Sequence, residues 1–306
     1  MIYTLTLSPA LDYMMRFSEI RAGRVNRSSD VRFRAGGKGI NVSLVLKRLN
    51  VASCCLGFVA GFTGAEILCL IRREGLNERL LTLPEGNSRI NVKIKSREET
   101  DYNASGPAIP APLIEELKEQ IRCLQAGDML IMSGNPPAGT DAGLYCELAG
   151  IAQANGAVVV ADVSGRCLEE IVTIRPALIK PNQFELSELA GRTLNTIEEI
   201  AAFAGKLCCR GPRNVLVSLG ANGAVLASAD GALYCAAPQL EIVNTTGAGD
   251  SMVAGYVKMC CGRCPDEEML RFAVACGSAS AASEHLLSEA VLAGILPTVP
   301  QPIRIK

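Results

Sequence analysis

Short apolar runs alternate along the chain with longer segments whose apolar residues recur at helical spacing. This alternation is typical of a mostly parallel β-sheet covered by helices. The apolar runs predict strands at residues 2–7, 53–59, 129–133, 157–161, 177–179 and 215–219. The helical spacing predicts helices at residues 40–49, 64–74, 112–124, 141–155, 183–190, 197–210, 248–261 and 265–283. We therefore expect a single α/β domain over residues 1–306.

Two segments, at about residues 11–34 and 80–103, interrupt this rhythm. Neither has a helical period, and in the second segment Ile90, Val92 and Ile94 alternate with polar residues. Such alternation predicts a half-buried strand. We expect the two segments to pair into a small inserted β-sheet that forms a lid over one edge of the core. A lid of this kind excludes water from a transfer site, and its outer face is a natural surface for a homodimer.

Composition removes several classes of function. The chain carries 30 Lys and Arg against 31 Asp and Glu, which gives no support for a nucleic-acid surface or a polybasic membrane patch. No apolar run reaches the roughly 18 residues of a membrane-spanning helix, and the first residues lack the basic region of a signal peptide. We therefore expect a cytoplasmic protein with no nucleic-acid or membrane partner.

The 13 cysteines are scattered and odd in number, unlike a secreted disulfide framework. Reduced thiols are the better interpretation. Cys260, Cys261 and Cys264 form the one suggestive cluster, but a structural zinc site needs four ligands and no second pair with this spacing exists. The single histidine, His285, is far in sequence from any acid that would complete a triad, and we interpret it as structural or exposed.

Residues 244–252 carry the clearest chemistry, because they follow an apolar run and begin a helix. Gly247, Ala248 and Gly249 leave backbone amides uncovered at the helix start, where a phosphate or a transferring phosphoryl group is stabilised. Asp250 follows directly, although a carboxylate there repels bound phosphate. Its task is then to accept the proton of an alcohol that attacks phosphorus. This stretch predicts the catalytic centre of a small-molecule kinase.

Other polar residues lie beside predicted strand ends, where ligands of open α/β sheets bind. Gly36, Gly37 and Lys38 let backbone approach a ligand next to a cation, although the spacing is not that of a Walker A loop. By itself this loop is equally well a glycine turn with an exposed lysine. Asp12 is either a turn residue or an acceptor for sugar hydroxyls.

Each of two further sets of residues has both a structural and a functional interpretation. Asn182 and Glu185 fit a capping box, or they hold magnesium directly or through water. Arg24, Arg89 and Lys93 lie in the inserted segments. They are either solvated or, if they face inward, a clamp for the phosphate of an anionic substrate.

Two signatures give the chain a resemblance to a known family. They are Gly-Gly-Lys-Gly-Ile-Asn-Val-Ser at 36–43 and Thr-Gly-Ala-Gly-Asp-Ser at 246–251. The chain resembles the ribokinase-like, phosphofructokinase-B sugar kinases along essentially its whole length. Residues 180–185 and 217–224 match the family's nucleotide-side elements, and residues 4–12, 26–29, 57–64 and 89–93 most resemble bacterial members that phosphorylate fructose 1-phosphate.

The resemblance implies a three-layer α/β/α ribokinase-like fold with a mostly parallel central sheet and a small β lid. It also implies transfer of a phosphoryl group from ATP, with Mg²⁺, to the 6-hydroxyl of fructose 1-phosphate, giving fructose 1,6-bisphosphate. Kinases of tagatose 6-phosphate or fructose 6-phosphate in the same family are the alternatives. A non-catalytic sugar-phosphate sensor is more remote, because the base and the anion-hole glycines that a sensor would lose are present.

By motif, the resemblance implies a role for individual residues. Asp250 looks like the base, and the amides of Gly247, Ala248 and Gly249 look like the anion hole. The substrate contacts expected from the motifs and the inserted segments are Asp12, Arg24, Gly37, Lys38, Asn41, Arg89, Lys93 and Asn103. Asn182 and Glu185 look like the magnesium and phosphate side, and Ser218, Gly220 and Gly223 look like the nucleotide wall.

The chain departs from the family's usual pattern in four places. These are Ala35 before the glycines, Asp101-Tyr102 in the second inserted segment, Asn135 in Ser-Gly-Asn-Pro-Pro and Thr246 in the catalytic loop. None of them replaces Asp250 or Lys38, so we expect an active kinase.

Overall fold

The structure is a computed structural model that describes residues 1–97 and 99–305. Its strands are β1 (Ile2–Thr6), β2 (Ala10–Arg16), β3 (Asp30–Gly36), β4 (Ser53–Ala60), β5 (Asn77–Leu83), β6 (Arg89–Lys95), β7 (Glu99–Asn103), β8 (Met129–Ser133), β9 (Val158–Asp162), β10 (Leu178–Ile179), β11 (Asn214–Ser218), β12 (Ala224–Ser228), β13 (Gly231–Cys235) and β14 (Ile303–Ile305). Its α-helices are α1 (Lys38–Arg48), α2 (Gly61–Arg73), α3 (Ala111–Arg122), α4 (Gly143–Ala154), α5 (Arg166–Ile171), α6 (Gln183–Ala190), α7 (Ile197–Arg210), α8 (Ala248–Cys261), α9 (Asp266–Ala281) and α10 (Glu289–Ile295). The six predicted strands and eight predicted helices are all confirmed, with ends displaced by a few residues at most.

The central sheet has ten strands in the order β14-β13-β12-β11-β10-β9-β8-β1-β4-β5. From β11 to β5 the neighbours are parallel. At the other edge, β12, β13 and β14 add on in antiparallel pairs. The mostly parallel sheet is therefore as predicted, and the antiparallel edge is an addition that the alternating pattern does not predict.

Helices cover both faces of this sheet because its strands are apolar on both sides. On β8, Ile131 packs into the hydrophobic cluster beneath α1, α2, α8, α9 and α10. Its neighbours Leu130 and Met132 pack into the second cluster, beneath α3 to α7. Successive side chains on a strand point to opposite faces, so one strand serves both layers. This confirms the three-layer α/β/α arrangement.

A separate four-stranded sheet, in the order β3-β2-β6-β7, is built from the two inserted segments. The expected small second sheet is thus present, and we call it the lid. One boundary needs correction: residues 80–83 belong to β5 at the edge of the central sheet, where they pair with β4. Leu81 and Leu83 are buried in the core, so their alternation reflects an edge strand of the central sheet rather than the lid.

The register of the lid sorts its residues onto two unlike faces. Asp12 lies opposite Arg34 and Asn91, and Lys93 lies opposite Asp101, which defines a polar face. The opposite face, which we call the apolar face, carries Tyr13, Phe33, Val92 and Tyr102. The rings of Tyr13 and Phe33 stack with centroids 4.8 Å apart, yet Phe33 is 50% and Tyr102 60% exposed.

Three findings bear on the expectations from composition. Among residues 1–97 and 99–305, no helix is both long enough and apolar enough to cross a bilayer. All 13 cysteines are free thiols, and no group of three or more His, Cys, Asp or Glu in the described chain is placed to hold a metal ion.

Candidate active site

Four charged side chains meet at the carboxyl edge of the central sheet. They are Asp162 at the end of β9, Lys180 after β10, Lys38 at the start of α1 and Asp250 in the first turn of α8. The ammonium of Lys38 lies 3.3 Å from both carboxylate oxygens of Asp162, and that of Lys180 lies 3.2 Å from Oδ1. Asp162 and Asp250 are 1% and 5% exposed. We call these four residues the charge cluster.

Asp250 is held in place by a side chain from α1. Asn41 Nδ2 donates a hydrogen bond of 2.7 Å to Asp250 Oδ2. Burial raises the pKa of Asp250 to about 6, the negative charge of Asp162 acts in the same direction, and Lys38 and the bond from Asn41 oppose it. At neutral pH Asp250 is therefore an ionised carboxylate of raised basicity, which suits a general base.

Asp162 and Lys38 each favour the charged form of the other. Burial alone would raise the pKa of Asp162, but the ammonium groups of Lys180 and Lys38 outweigh burial and hold it below its ordinary value. Burial acts to lower the pKa of Lys38, yet the carboxylates of Asp162 and Asp250 raise it above its ordinary value. The cluster thus presents two cations and a basic carboxylate to the same point.

The start of α8 supplies backbone donors beside Asp250. Gly247 has a φ of 82°, and a Cβ at this position would lie 2.4 Å from Leu286 Cδ2. The amide of Ala248 donates only a long bond of 3.3 Å to the carbonyl of Thr245. Within the described chain, the amide of Gly249 has no acceptor. Free amides at a helix start form a site for an anion.

The glycine loop packs against the first strand of the lid. A Cβ on Gly36 would lie 2.6 Å from the carboxyl atoms of Asp12, so glycine lets the loop approach this carboxylate. Asp12 Oδ1 accepts a hydrogen bond of 2.9 Å from Asn91 Nδ2, and burial raises the pKa of Asp12. Gly37, with a φ of 133°, is the N-cap of α1 and places Lys38 at the charge cluster.

Two cavities flank the catalytic loop. The lid cavity lies against the polar face of the lid, and Asp12, Arg34, Asn41, Lys93, Thr246 and His285 are among its lining residues. The second, which we call the nucleotide cavity, is lined by Ser218, Gly220, Gly223, Ala248, Gly249 and others. Because Thr246 lines the first cavity and Ala248 the second, the loop before Asp250 separates them.

Five predicted substrate contacts lie outside the lid cavity as the described residues define it, and two of them, Gly37 and Lys38, lie at the start of α1 beside the charge cluster. Arg24 is exposed between β2 and β3, and Asn103 is exposed at the end of β7. Arg89 lies at the base of the lid, where its Nε donates to the carbonyl of Ser8 at 3.1 Å. Lys93 does line the cavity, and its ammonium lies 2.9 Å from Asp101 Oδ2.

Asn182 and Glu185 form a capping box at the start of α6. The amide of Glu185 donates to Asn182 Oδ1 at 2.9 Å, and the amide of Asn182 donates to Glu185 Oε2 at 2.8 Å. The capping interpretation is therefore confirmed. The Glu185 charge also raises the pKa of Lys38, after the larger contributions of Asp162 and Asp250. A carboxylate beside the charge cluster, with Oε1 outside the capping box, is the kind of oxygen donor that suits Mg²⁺.

Two charged residues of the site are not predicted individually, and a third residue, His285, is predicted to be structural or exposed. Asp162 and Lys180 stand at or just beyond the ends of the predicted strands 157–161 and 177–179, and applying the strand-end rule to every strand would have found them. His285 is partly buried in the wall of the lid cavity. Burial, with the positive charges of Arg34 and Arg48, lowers its pKa to about 3, so it is neutral at physiological pH.

Comparison with known proteins agrees with this geometry. Residues 5–289 match the model of the pfkB family of carbohydrate kinases. The chain belongs to this family. As a pfkB carbohydrate kinase, it is a phosphotransferase that uses ATP and acts on a sugar hydroxyl.

The similarity to individual pfkB proteins extends over nearly the whole chain. A 1-phosphofructokinase of Bacillus subtilis is 40% identical over 300 residues, covering 98% of each chain. A D-tagatose-1-phosphate kinase of Bacillus licheniformis is 37% identical over 290 residues, covering 94% of each. The structure of phosphofructokinase-2 from Escherichia coli in complex with substrates and products superposes with a TM-score of 0.92, at 29% identity, covering 97% of this chain and 98% of that one.

Proposed function

We propose that this pfkB kinase transfers the terminal phosphoryl group of ATP to the 6-hydroxyl of fructose 1-phosphate. The observation that carries the proposal is Asp250, a buried carboxylate of raised pKa that is bonded to Asn41 in the wall of the lid cavity and directly follows Ala248 and Gly249, which line the nucleotide cavity. A full-length relative named 1-phosphofructokinase supports the choice of sugar.

Asp250 acts as the general base. Asn41 holds Asp250 Oδ2, which leaves Oδ1 to accept the proton of the sugar hydroxyl. As the new oxygen–phosphorus bond forms, the proton passes to Asp250 and the bond between the phosphoryl group and ADP breaks. ADP and the bisphosphorylated sugar are then released, and the proton passes from Asp250 to solvent.

The charge that develops on the transferring group is stabilised from the body of the enzyme. The amides of Gly247, Ala248 and Gly249 face it from the helix start, and Lys38 adds a positive charge. Glu185 and Asn182 would hold Mg²⁺, directly or through water, and the ion would neutralise the triphosphate. Ser218, Gly220 and Gly223 form the wall against which the nucleotide packs.

The sugar lies in the lid cavity. Asp12 and Asn41 accept and donate hydrogen bonds to its hydroxyls, and the backbone at Gly37 allows close approach. Lys93 remains a contact in the proposal because it lines this cavity. Arg24, Arg89 and Asn103 would need a movement of the lid to reach it, so the proposal does not depend on them.

We further propose that two copies associate through the apolar face of the lid. Exposed aromatic residues on one continuous strand face mark an interaction surface, and a second copy of the same face would cover it in an isologous dimer. We place the enzyme in the cytoplasm, in keeping with its ATP-dependent reaction and the absence of the composition expected of a secreted disulfide framework.

A second candidate substrate is tagatose 1-phosphate. A full-length relative is named D-tagatose-1-phosphate kinase, and this sugar differs from fructose 1-phosphate only in the configuration at C4. Both carry a phosphate at one end and a free 6-hydroxyl at the other. The same base and the same cavity would therefore serve either sugar.

A substrate panel tests the proposal. ADP release with Mg²⁺ and ATP is measured for fructose 1-phosphate, tagatose 1-phosphate, tagatose 6-phosphate, fructose 6-phosphate and ribose, each ranked by kcat/KM. We expect fructose 1-phosphate to rank first, by roughly tenfold over its C4 epimer and by about a thousandfold over ribose. A higher kcat/KM for fructose 6-phosphate or ribose would contradict the proposed function.

A further inference from the structure

The basic side chains that line the lid cavity differ in how they are paired. Arg32 lies 2.8 Å from Asp30 and 3.2 Å from Glu284, and Arg16 lies 3.4 Å from the same glutamate. Lys93 is paired with Asp101. Lys95 lies 2.9 Å from Glu99 and donates to the carbonyl of Val243. Each of these four cations has a protein partner.

Arg34 is the exception among the described cations of this cavity. Its guanidinium makes no ion pair and no side-chain hydrogen bond with residues 1–97 or 99–305. The register of β2 and β3 places Arg34 directly opposite Asp12, on the polar face. Arg34 therefore lies beside the carboxylate that the proposed function assigns to the sugar hydroxyls.

Its neighbours do not satisfy this guanidinium. Asp12 Oδ1 already accepts from Asn91, and Glu284 is engaged by Arg16 and Arg32. Arg48, whose charge also reaches Arg34, donates to the carbonyls of Leu286 and Leu287 at 2.8 Å each. Neutral His285 lies beside it. Two cations, Arg32 and Arg48, and two carboxylates, Asp12 and Glu284, thus act on a guanidinium that has no hydrogen-bonded partner among the described residues.

A partly buried cation without a partner is unfavourable unless it binds an anion. Burial lowers the pKa of Arg34, the positive charges of Arg32 and Arg48 act in the same direction, and the carboxylates of Glu284 and Asp12 oppose them without reversing the shift. The planar fork of a guanidinium matches two oxygens of a phosphate. A sugar that carries a phosphate would supply those oxygens at the open side of the cavity.

We propose that Arg34 binds the phosphate that the acceptor sugar already carries, and that this contact sets the preference for a phosphorylated sugar over a free one. The inference rests on the proposed function and deepens it, because it assigns substrate choice to one residue of the lid. Arg34 precedes the glycine loop, and the motifs of the sequence do not mark it.

Arg34→Met tests this assignment, with Arg34→Lys and Arg32→Met beside it. Arg32 is the matched control because it lies on the same strand and the same face but is already paired. We expect Arg34→Met to raise the KM for fructose 1-phosphate by on the order of a hundredfold, as for the loss of a charge-assisted bidentate contact. The kcat and the KM for ATP should change less than about threefold, and kcat/KM for unphosphorylated fructose should not fall.

Arg34→Lys should lie between the wild type and Arg34→Met, because it keeps the charge and loses the fork. Arg32→Met should change the KM for fructose 1-phosphate by less than about threefold. The melting temperature of Arg34→Met should be unchanged or higher, since no protein contact is lost.

The outcomes separate the inference from the proposed function. If the wild type phosphorylates fructose 1-phosphate and Arg34→Met leaves its KM unchanged, the role of Arg34 is overturned and the proposed function stands. A rise in the KM for ATP instead, or an equal loss with free fructose, also overturns it, because a nucleotide contact or a general effect on the lid would then be responsible. If the wild type accepts no sugar phosphate, the proposed function fails and the inference fails with it.

Discussion

The charge cluster of the body and the lid cavity are both rich in charged side chains. They differ in how exposed their ion pairs are and in whether every cation has a partner. In the cluster, Lys38 and Lys180 share Asp162, and Asp250 is bonded to Asn41. In the lid cavity, the ion pairs are largely solvent-exposed, with Arg16 and Glu284 exposed by 49% and 56%, and Arg34 has no partner among the described residues.

This difference separates two tasks. Buried charges that are already oriented stabilise a transition state without reorganising when the reaction occurs. Exposed ion pairs contribute little stability, so breaking them when the lid moves changes the free energy little. The unpaired guanidinium of Arg34 is free to bind a ligand. In the proposed function, the body therefore supplies chemistry that any sugar acceptor would share, whereas the lid supplies the choice of acceptor.

The largest expected effect comes from replacing Asp250, the proposed general base of the charge cluster. Asp250→Asn removes the proton acceptor and should lower kcat by on the order of two to four decades, while the KM for both substrates changes little. Steady-state kinetics measure it, with Asp230→Asn at an exposed turn as the control for loss of an aspartate. A kcat within tenfold of wild type would remove Asp250 from its role.

Asp162→Asn should have the next largest effect, because it leaves the buried ammonium of Lys180 and the partly exposed ammonium of Lys38 without their carboxylate. We expect kcat to fall by about one to two decades through displacement of Lys38 and Lys180, and the free energy of unfolding to fall by roughly 3 kcal/mol. Urea unfolding and kcat together measure this. Wild-type values of both would show that the cluster is not the organised unit described here.

The pH dependence of kcat tests whether Asp250 of the charge cluster must be ionised for the reaction. Asp250 must be ionised to accept a proton, so kcat should fall as pH decreases through about 6, by tenfold per pH unit below it. His285, with a pKa of about 3, does not titrate in this range. The phosphate of a sugar phosphate itself titrates near 6, so Asn41→Leu identifies the group. Because the hydrogen bond from Asn41 lowers the pKa of Asp250, this substitution should move the acid limb to higher pH, and an unmoved limb would assign it to another group.

The smallest effect on catalysis is expected at the apolar face of the lid. Phe33→Glu places a charge beside the stacked ring of Tyr13 and should convert a dimer into a monomer, with less than about a tenfold change in kcat/KM. Sedimentation equilibrium measures the mass, and Phe184→Glu, at a residue 81% exposed on α6, is the control. A wild-type protein that is monomeric at all concentrations would contradict the proposed dimer.

Local patterns predict most of the fold. A short apolar run that ends at turn residues, such as Met129–Ser133, predicts a strand. The glycines at 247 and 249 predict where the helix Ala248–Cys261 begins. The edges of the sheet are harder to predict. Residues 80–83 alternate as a lid strand would, and only their packing against β4 places them in the central sheet. The apolar residues of β12 directly follow the glycine turn at 220–223, which the family resemblance assigns to the nucleotide wall. The hydrophobic pattern alone therefore does not show where this loop ends and the strand begins.

The residues of the site also differ in how well the local sequence predicts them. Asp250, Lys38 and Asn41 stand beside glycines that mark a close approach, and local sequence is enough to find them. Asp162 and Lys180 have no such marker, and they meet only because β9 and β10 are neighbours in the sheet. Arg34 requires the register that sets it opposite Asp12.

The ³¹P NMR spectrum of a reaction of ATP, Mg²⁺ and fructose 1-phosphate with the wild-type enzyme tests the central claim most directly. We predict that the terminal resonance of ATP disappears as ADP and a sugar bisphosphate form in equal amounts, with the new phosphorus coupled to the two protons of C6. A spectrum in which the phosphoryl group appears only as inorganic phosphate, or in which ATP stays unchanged, would contradict the account.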